Sequence, residues 1–299
     1  MKLILMNDKE KLIKFCKESS SIVVNTDLDG IFSAALIRSV NPNLEISGLT
    51  DSHTKLFYTN EKLKNDLEYK KNALFLDLYV TNESIRCIDQ HIVSFDEPIE
   101  MDNKINPNVT YKIGCNKYFS KYPFSTSLYI LFLLKKNNII IYINFDEKIF
   151  DDVTLCDLLL RCDSSLKNNI TYKPNVKKWF NILNSSDDIK EIYERYIIYD
   201  DKEIIEKTNK IDLFLKKSFG CFESGGFELS LKNKNIFQDY VNFIFNFFND
   251  KIDIIDIFHT KIFKEEKNMK ITEINKNIDL SNVFSLAYVK NKKLNVSYG

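Results

Sequence analysis

Acidic side chains recur at the places where a parallel sheet would offer them to a ligand. SIVVNT (21–26) is a β-branched run, and it leads into Asp27 and Asp29. ALFLDL (73–78) carries Asp77 near its end, and RCIDQH (86–91) closes on Asp89, Gln90 and His91. Asp163 follows FDDVTLCDLLLRC (150–162), whose spacing predicts an amphipathic helix. Open parallel sheets bind ligands at the carboxyl ends of their strands, so these carboxylates are expected to meet on one rim. That much negative charge is costly without a counterion, and one or two divalent cations are the usual remedy. Each Asp alone has an ordinary use, as a helix cap or in an Asp-Gly turn; the recurrence at successive strand ends carries the metal reading.

With these residues in place, the order of motifs resembles the DHH phosphoesterase superfamily over about residues 20 to 165. NTDLDGIFSAALI resembles its first motif, ALFLDL the second with a single metal-bridging Asp, and CIDQHI the Asp-His-His third. FSTSLYILFLL matches the helix that follows, and RCDSSL supplies the fourth motif, with Asp157 as the alternative to Asp163. The resemblance implies that Asp27, Asp29, Asp77 and Asp163 hold two Mg²⁺ or Mn²⁺ ions. It makes Asp89 a ligand or supporting carboxylate in catalysis and His91 the contact to the scissile phosphate. In the family such ions activate a water to cleave a phosphoester or phosphoanhydride, and the resemblance implies the same chemistry here.

Two positions depart from that pattern. Asn25 stands where the family has its first His, and Gln90 where it has the middle His of the third motif. By resemblance each metal loses an imidazole, and the ligand set at 25 and 90 becomes all-oxygen, better suited to a hard cation. Of the two other histidines, His53 is a loop residue that could substitute as a ligand, and His259, in DIFHTKIF, is expected to be structural. A strand ending in Asp-x-Asp-Gly also resembles haloacid-dehalogenase-type phosphatases, but only Asp151-Asp152 could serve as their later acidic pair, and IDQH has no role there.

The elements that must position these groups alternate between short strand runs and helical patterns through the first half, which predicts βαβ units and a parallel sheet. The expected fold is α/β: a parallel-sheet DHH-type domain with helices on both faces (1–172), a helical connector (173–215), and a smaller C-terminal α/β domain (216–299). IIIYIN (139–144) reads as a strand, SFGCFESGGFELSLK as a hairpin, and NVFSLAYVKNKKLNVSYG as another with its turn at Asn-Lys-Lys. Within SGGF, the resemblance implies that Gly225 and Gly226 contact substrate; Lys216, Lys217, Lys232 and Lys234 could line a cleft, although a run of Lys is more often a solvated face.

Composition narrows the classes. The chain has 299 residues, 44% hydrophobic and 28% charged, which excludes a disordered or fibrous protein. Its 42 basic and 42 acidic residues cancel, so no bulk charge holds it on a phosphate polymer or an anionic membrane. Six scattered Cys without a CxxC pair, no apolar run of membrane-spanning length and a charged N-terminal segment predict a reduced, cytoplasmic protein without membrane association. The expected function is metal-dependent phosphodiester hydrolysis of short oligonucleotides or small nucleotides. The alternative is a catalytically inactive DHH-like scaffold that binds a nucleotide or a protein. Expected partners are a short single-stranded nucleic acid or nucleotide, with a homodimer or protein partner as a further class.

Overall fold

The computed structural model describes residues 2–51, 55–60, 62–183, 187–222, 226–230, 232–254, 259–262, 264–270, 283–289 and 293–298. The elements run α1 (Lys2–Glu18), β1 (Ser21–Asn25), α2 (Leu28–Val40), β2 (Glu45–Asp51), β3 (Lys55–Tyr58), α3 (Lys62–Asn65), α4 (Leu67–Lys71), β4 (Ala73–Leu76), β5 (Arg86–Ile88), β6 (Lys104–Ile105) and α5 (Pro107–Thr110). They continue with α6 (Thr126–Lys136), β7 (Lys148–Phe150), β8 (Val153–Thr154), α7 (Leu155–Arg161), α8 (Ser165–Leu183), α9 (Asp187–Ile198), α10 (Asp201–Phe219), α11 (Lys234–Asn246), β9 (His259–Ile262), β10 (Lys264–Lys270), β11 (Val283–Val289) and β12 (Lys293–Tyr298). The chain forms two compact units: Met1–Asn25, Asn43–Lys121 and Asp256–Gly299 make the first, and Thr26–Pro42 with Tyr122–Ile255 the second.

The first unit is built on a mostly parallel seven-stranded sheet of order β6-β5-β4-β1-β2-β3-β9. β1 pairs in parallel with β2 and β4, β4 with β5, and β5 with β6, while β3 runs antiparallel to both β2 and β9. β1 and β4 are buried along their whole length, as central parallel strands with near-continuous apolar runs are. From β1 the chain moves to β2 on one side and later returns to β4 on the other, so the strand order reverses between β1 and β4. Val23, Phe75 and Cys87 lie in register on neighbouring strands and belong to one buried cluster with Leu56, Tyr58 and Val80.

The C-terminal strands belong to this unit. β9 extends the sheet along β3, and β10-β12-β11 form a separate three-stranded sheet. β11 reaches the loops after β4 and β5 through single bridges, Val80 to Ser285 and Ile92 to Tyr288, and Phe284 and Leu286 pack on the first unit's core. Of the expected 216–299 domain, residues 256–299 fall in the first unit and 216–255 in the second. The terminal hairpin itself is present as the antiparallel pair β11–β12.

Among the described residues, the second unit is helical apart from the β7–β8 hairpin. Tyr122, Phe124, Tyr129, Trp179, Phe180 and Tyr196 interlock in its core, with the Tyr122 and Trp179 rings 5.2 Å apart and edge to face. The expected boundary at 172/173 falls inside α8: Tyr172 leaves helical geometry at φ −132° just before Pro174, which kinks the helix without ending the unit. Residues 139–144 form no strand, since Asn138 turns left-handed after α6 and Ile140 and Tyr142 stand 73% and 85% exposed without a sheet neighbour. Of the hairpin expected over 218–232, the first residues are a helix end. Gly220, at φ 72°, closes α10 with its N–H on the Lys216 carbonyl at 2.9 Å, and the described residues beyond it contain no strand before α11. No helix among the described residues is long and apolar enough to cross a membrane.

Candidate metal centre

In the first unit the strand ends form one transverse row of polar side chains. Asn25, the last residue of β1, is the register partner of Thr50 on β2. On its other side it donates from Nδ2 to Asp77 Oδ2 at 3.2 Å, directly after β4. Asp77 takes a left-handed conformation at φ 55°, which Asp tolerates better than most residues, and its N–H still bonds the Ile88 carbonyl at 2.9 Å. The chain thus bends sharply while Asp77 stays tied to β5. Asn25, Asp77 and Asp89 are 5%, 2% and 1% exposed.

Asp89 extends the row past β5, and its acceptor capacity is heavily used. Oδ1 pairs with His91 Nδ1 at 2.7 Å, while Oδ2 accepts the His91 backbone N–H at 2.9 Å and Asn106 Nδ2 at 3.2 Å. His91 keeps 26% of its side chain exposed, against none for Asp89. Asp77, Asp89 and His91 each offer a ligand atom within 4.8 Å of the others. Two carboxylates and one imidazole at strand ends suit a divalent cation such as Mg²⁺ or Mn²⁺, so the donor set fits the group that the sequence resemblance implies.

The sequence reading missed the brace behind this cluster. Asn106 caps α5 by accepting the Asn108 and Val109 N–H groups, and donates from Nδ2 to the His91 carbonyl at 2.8 Å as well as to Asp89. Asn108 Nδ2 holds the carbonyl of Gln90, itself 1% exposed, at 2.6 Å. The dipeptide Asn-Pro after a strand is the signal that could have exposed this cap. Lys104, 2% exposed on β6, donates to the Asn82 and Ile85 carbonyls at 2.8 and 2.7 Å and so fixes the loop between β4 and β5. Burial holds its ammonium below the ordinary value.

The second unit carries the other acids. Asp27 is the N-cap of α2, accepting the Gly30 N–H at 2.9 Å. Asp29, 1% exposed, accepts the first N–H groups of α6, from Thr126 at 2.7 Å and Ser127 at 2.8 Å. Burial, reinforced by the charges of Asp27 and Asp163, pushes its carboxyl up to about 7. Asp163 is left-handed at φ 45° between α7 and α8. Asp157 is a structural residue: it completes the capping box of α7 with Thr154, accepts from Tyr199 at 2.8 Å, and pairs with Lys207 at 3.0 Å. Asp163 lies close enough to Asp29 for its charge to act on that carboxyl.

Of the remaining expected residues, His53 and Gly225 lie outside the described residues. Gly226 accepts the Phe222 N–H at 2.9 Å, and the next carbonyl, of Phe227, accepts from Thr26 Oγ1 at 2.8 Å, tying this loop to the first motif. His259 opens β9, opposite Tyr58. Lys216, Lys217 and Lys232 are exposed and Lys234 half-buried, with the first two in the last turn of α10, where the helix dipole favours cations. All six cysteines are buried, and burial pushes the Cys16 and Cys221 thiols up to about 12. Compared with known proteins, the chain matches no protein-family model, no curated protein and no solved structure.

Proposed function

We propose that the chain is a divalent-cation-dependent phosphodiesterase acting on short single-stranded oligonucleotides or small nucleotides. The observation that carries this reading is the gathering of Asp77, Asp89 and His91 to within 4.8 Å at the ends of β4 and β5, beside the point where strand order reverses. The resemblance of the strand-end motifs to the DHH phosphoesterases supplies the substrate class. Asp77 and His91 would hold the ion, Mg²⁺ or Mn²⁺, and the resemblance assigns Asp27, Asp29 and Asp163 to metal as well. When bound, the ion supplies positive charge to a phosphoryl oxygen and lowers the pKa of a bound water.

The side chains divide the remaining work. Asp89 is a positioning residue: by clasping both Nδ1 and the backbone N–H of His91 it sets the ring in one orientation and leaves Nε2 for a ligand. Asn106 fixes Asp89 in turn.

A second reading, a nucleotide- or protein-binding scaffold without catalysis, is favoured by one contact. The Asn25 amide already donates to Asp77 Oδ2, so one of the two oxygens that could take a cation is in use. Calorimetric titration of chelator-treated protein with Mg²⁺ and Mn²⁺, together with cleavage of short 5′-labelled RNA and DNA, separates the two. Metal-dependent cleavage that Asp77→Asn abolishes supports the phosphodiesterase. Metal binding without cleavage supports the scaffold, and failure to bind either ion removes the metal centre.

A further inference from the structure

The loops that bear the ligands are gripped from outside the seven-stranded sheet. β11 is the last strand of its own sheet, so one of its edges has no strand partner among the described residues, and the backbone groups along that edge must be satisfied elsewhere. They are satisfied by the two loops of the rim. The Leu286 N–H donates to the Tyr79 carbonyl at 3.4 Å, the Thr81 N–H to the Phe284 carbonyl at 3.0 Å, and the Thr81 hydroxyl to the Val283 carbonyl. Two residues beyond Leu286, the Tyr288 N–H donates to the Ile92 carbonyl at 2.7 Å. Asp77 stands two residues before Tyr79, and His91 immediately before Ile92. Phe284 also sets its ring edge to face against Phe75 of β4, with the centroids 6.1 Å apart.

We propose that the outer edge of β11, through the N–H groups of Leu286 and Tyr288, positions the Asp77 and His91 loops for the cation, so that the ion binds tightly only while β11 is docked. The inference rests on the metal reading of the rim. Residues i and i+2 of a strand turn their N–H groups to the same edge, which lets Leu286 and Tyr288 serve two loops from points about 7 Å apart. At their roots the same loops are joined by the Asp77 N–H on the Ile88 carbonyl. β11 adds a second tie beyond that ladder. Without it, the buried carboxylates of Asp77 and Asp89 would repel each other across loops free to separate, and an arriving cation would have to order the loops as well as neutralise the charge. With it, the loops are ordered before the ion arrives. Coupling of this kind is reciprocal: a strand that strengthens ion binding is itself held more tightly by the ion.

The test uses the full chain, stripped with chelator, and reads melting temperature and calorimetric Mn²⁺ affinity for two variants of one residue. Tyr288→Ala keeps the N–H and loses the ring, whereas Tyr288→Pro loses both. The alanine variant is expected to melt lower than wild type yet bind Mn²⁺ within about twofold of it, and the proline variant to bind about tenfold more weakly, the size of one lost hydrogen bond. Hydrogen exchange in wild type gives a second measurement that needs no variant. Mg²⁺ should slow exchange of the Leu286 and Tyr288 amide protons about tenfold and leave unchanged those of β10, which pairs with β12 and not with the loops. Equal Mn²⁺ affinity in the alanine and proline variants, or exchange at Leu286 and Tyr288 that Mg²⁺ does not slow, overturns the role of β11 while leaving the metal centre standing. No Mn²⁺ uptake by wild type removes the metal centre itself, and this role with it.

Discussion

His91 is held by the residue two places before it: its Nδ1 lies 2.7 Å from Asp89 Oδ1, and its backbone N–H donates to Asp89 Oδ2 at 2.9 Å. One buried carboxylate thus sets both the loop and the ring. Asp89→Asn keeps the size and loses the charge-assisted bond to Nδ1. The expected result is Mn²⁺ binding weakened by about 10- to 100-fold, the usual cost of losing such a supporting carboxylate, with a native circular-dichroism spectrum. Unchanged affinity would remove Asp89 from the positioning role.

Asp77 is best tested by an amide. Alanine at φ 55° would add backbone cost to the loss of the carboxylate, whereas Asn tolerates the left-handed region about as well as Asp. Asp77→Asn should melt at or above the wild-type temperature in chelator, since it keeps an oxygen for Asn25 Nδ2 and removes a buried charge. Adding Mg²⁺ should raise the melting temperature of wild type and leave the variant unmoved. Equal responses would take Asp77 out of the metal site.

Asn106 has two separable duties. Asn106→Ala loses both the α5 cap and the brace on Asp89 and is expected to cost about 1 to 2 kcal/mol of stability, read from urea melts. Asn106→Asp keeps the cap on Asn108 and Val109 but sets a carboxylate against Asp89 Oδ2, 3.2 Å away in wild type. It should recover helix stability at low pH and still bind Mn²⁺ poorly or with altered pH dependence. If Asn106→Asp binds Mn²⁺ as wild type does, the brace is idle.

Asp29 makes the metal-free protein less stable as pH rises. Its carboxyl is raised from 3.8 to about 7 by burial and by Asp27 and Asp163, so the folded state holds a proton that the unfolded state has released between those values. Stability from this group is complete below about pH 4 and is lost as pH climbs through 7. Asp29→Asn should flatten that part of the melting-temperature profile, at a lower overall melting temperature, because its amide nitrogen cannot accept one of the two α6 N–H groups that the carboxylate oxygens take. A profile with the same slope in both proteins would assign the pH dependence elsewhere.

Much of the first unit was legible from local pattern. The apolar runs at β1 and β4 and the short alternation at β2 and β5 define central and flanking strands, and an Asp at the end of β4 or β5 must then lie at the sheet's carboxyl rim whatever else the chain does. The strand expected at 139–144 and the hairpin expected over 218–232 do not form among the described residues, because an apolar or Gly-rich run becomes a strand only where a pairing partner stands beside it. The same holds at the C-terminus: the β11–β12 hairpin was expected from its sequence, whereas β9 and the pairings to β3, Val80 and Ile92 are encoded by no local pattern.

The sequence by itself determined which residues can ligate or donate, and that Asp77, Asp89 and His91 follow strands. Tertiary structure decided that Asp157 is spent on Thr154, Tyr199 and Lys207, that Asn106 stands behind Asp89, and that β11 bonds to the loops that follow Asp77 and His91. The physical reason is range. Propensity and periodicity act over a few residues, whereas a hydrogen bond is satisfied or left open by whichever distant strand the sheet register places next to it.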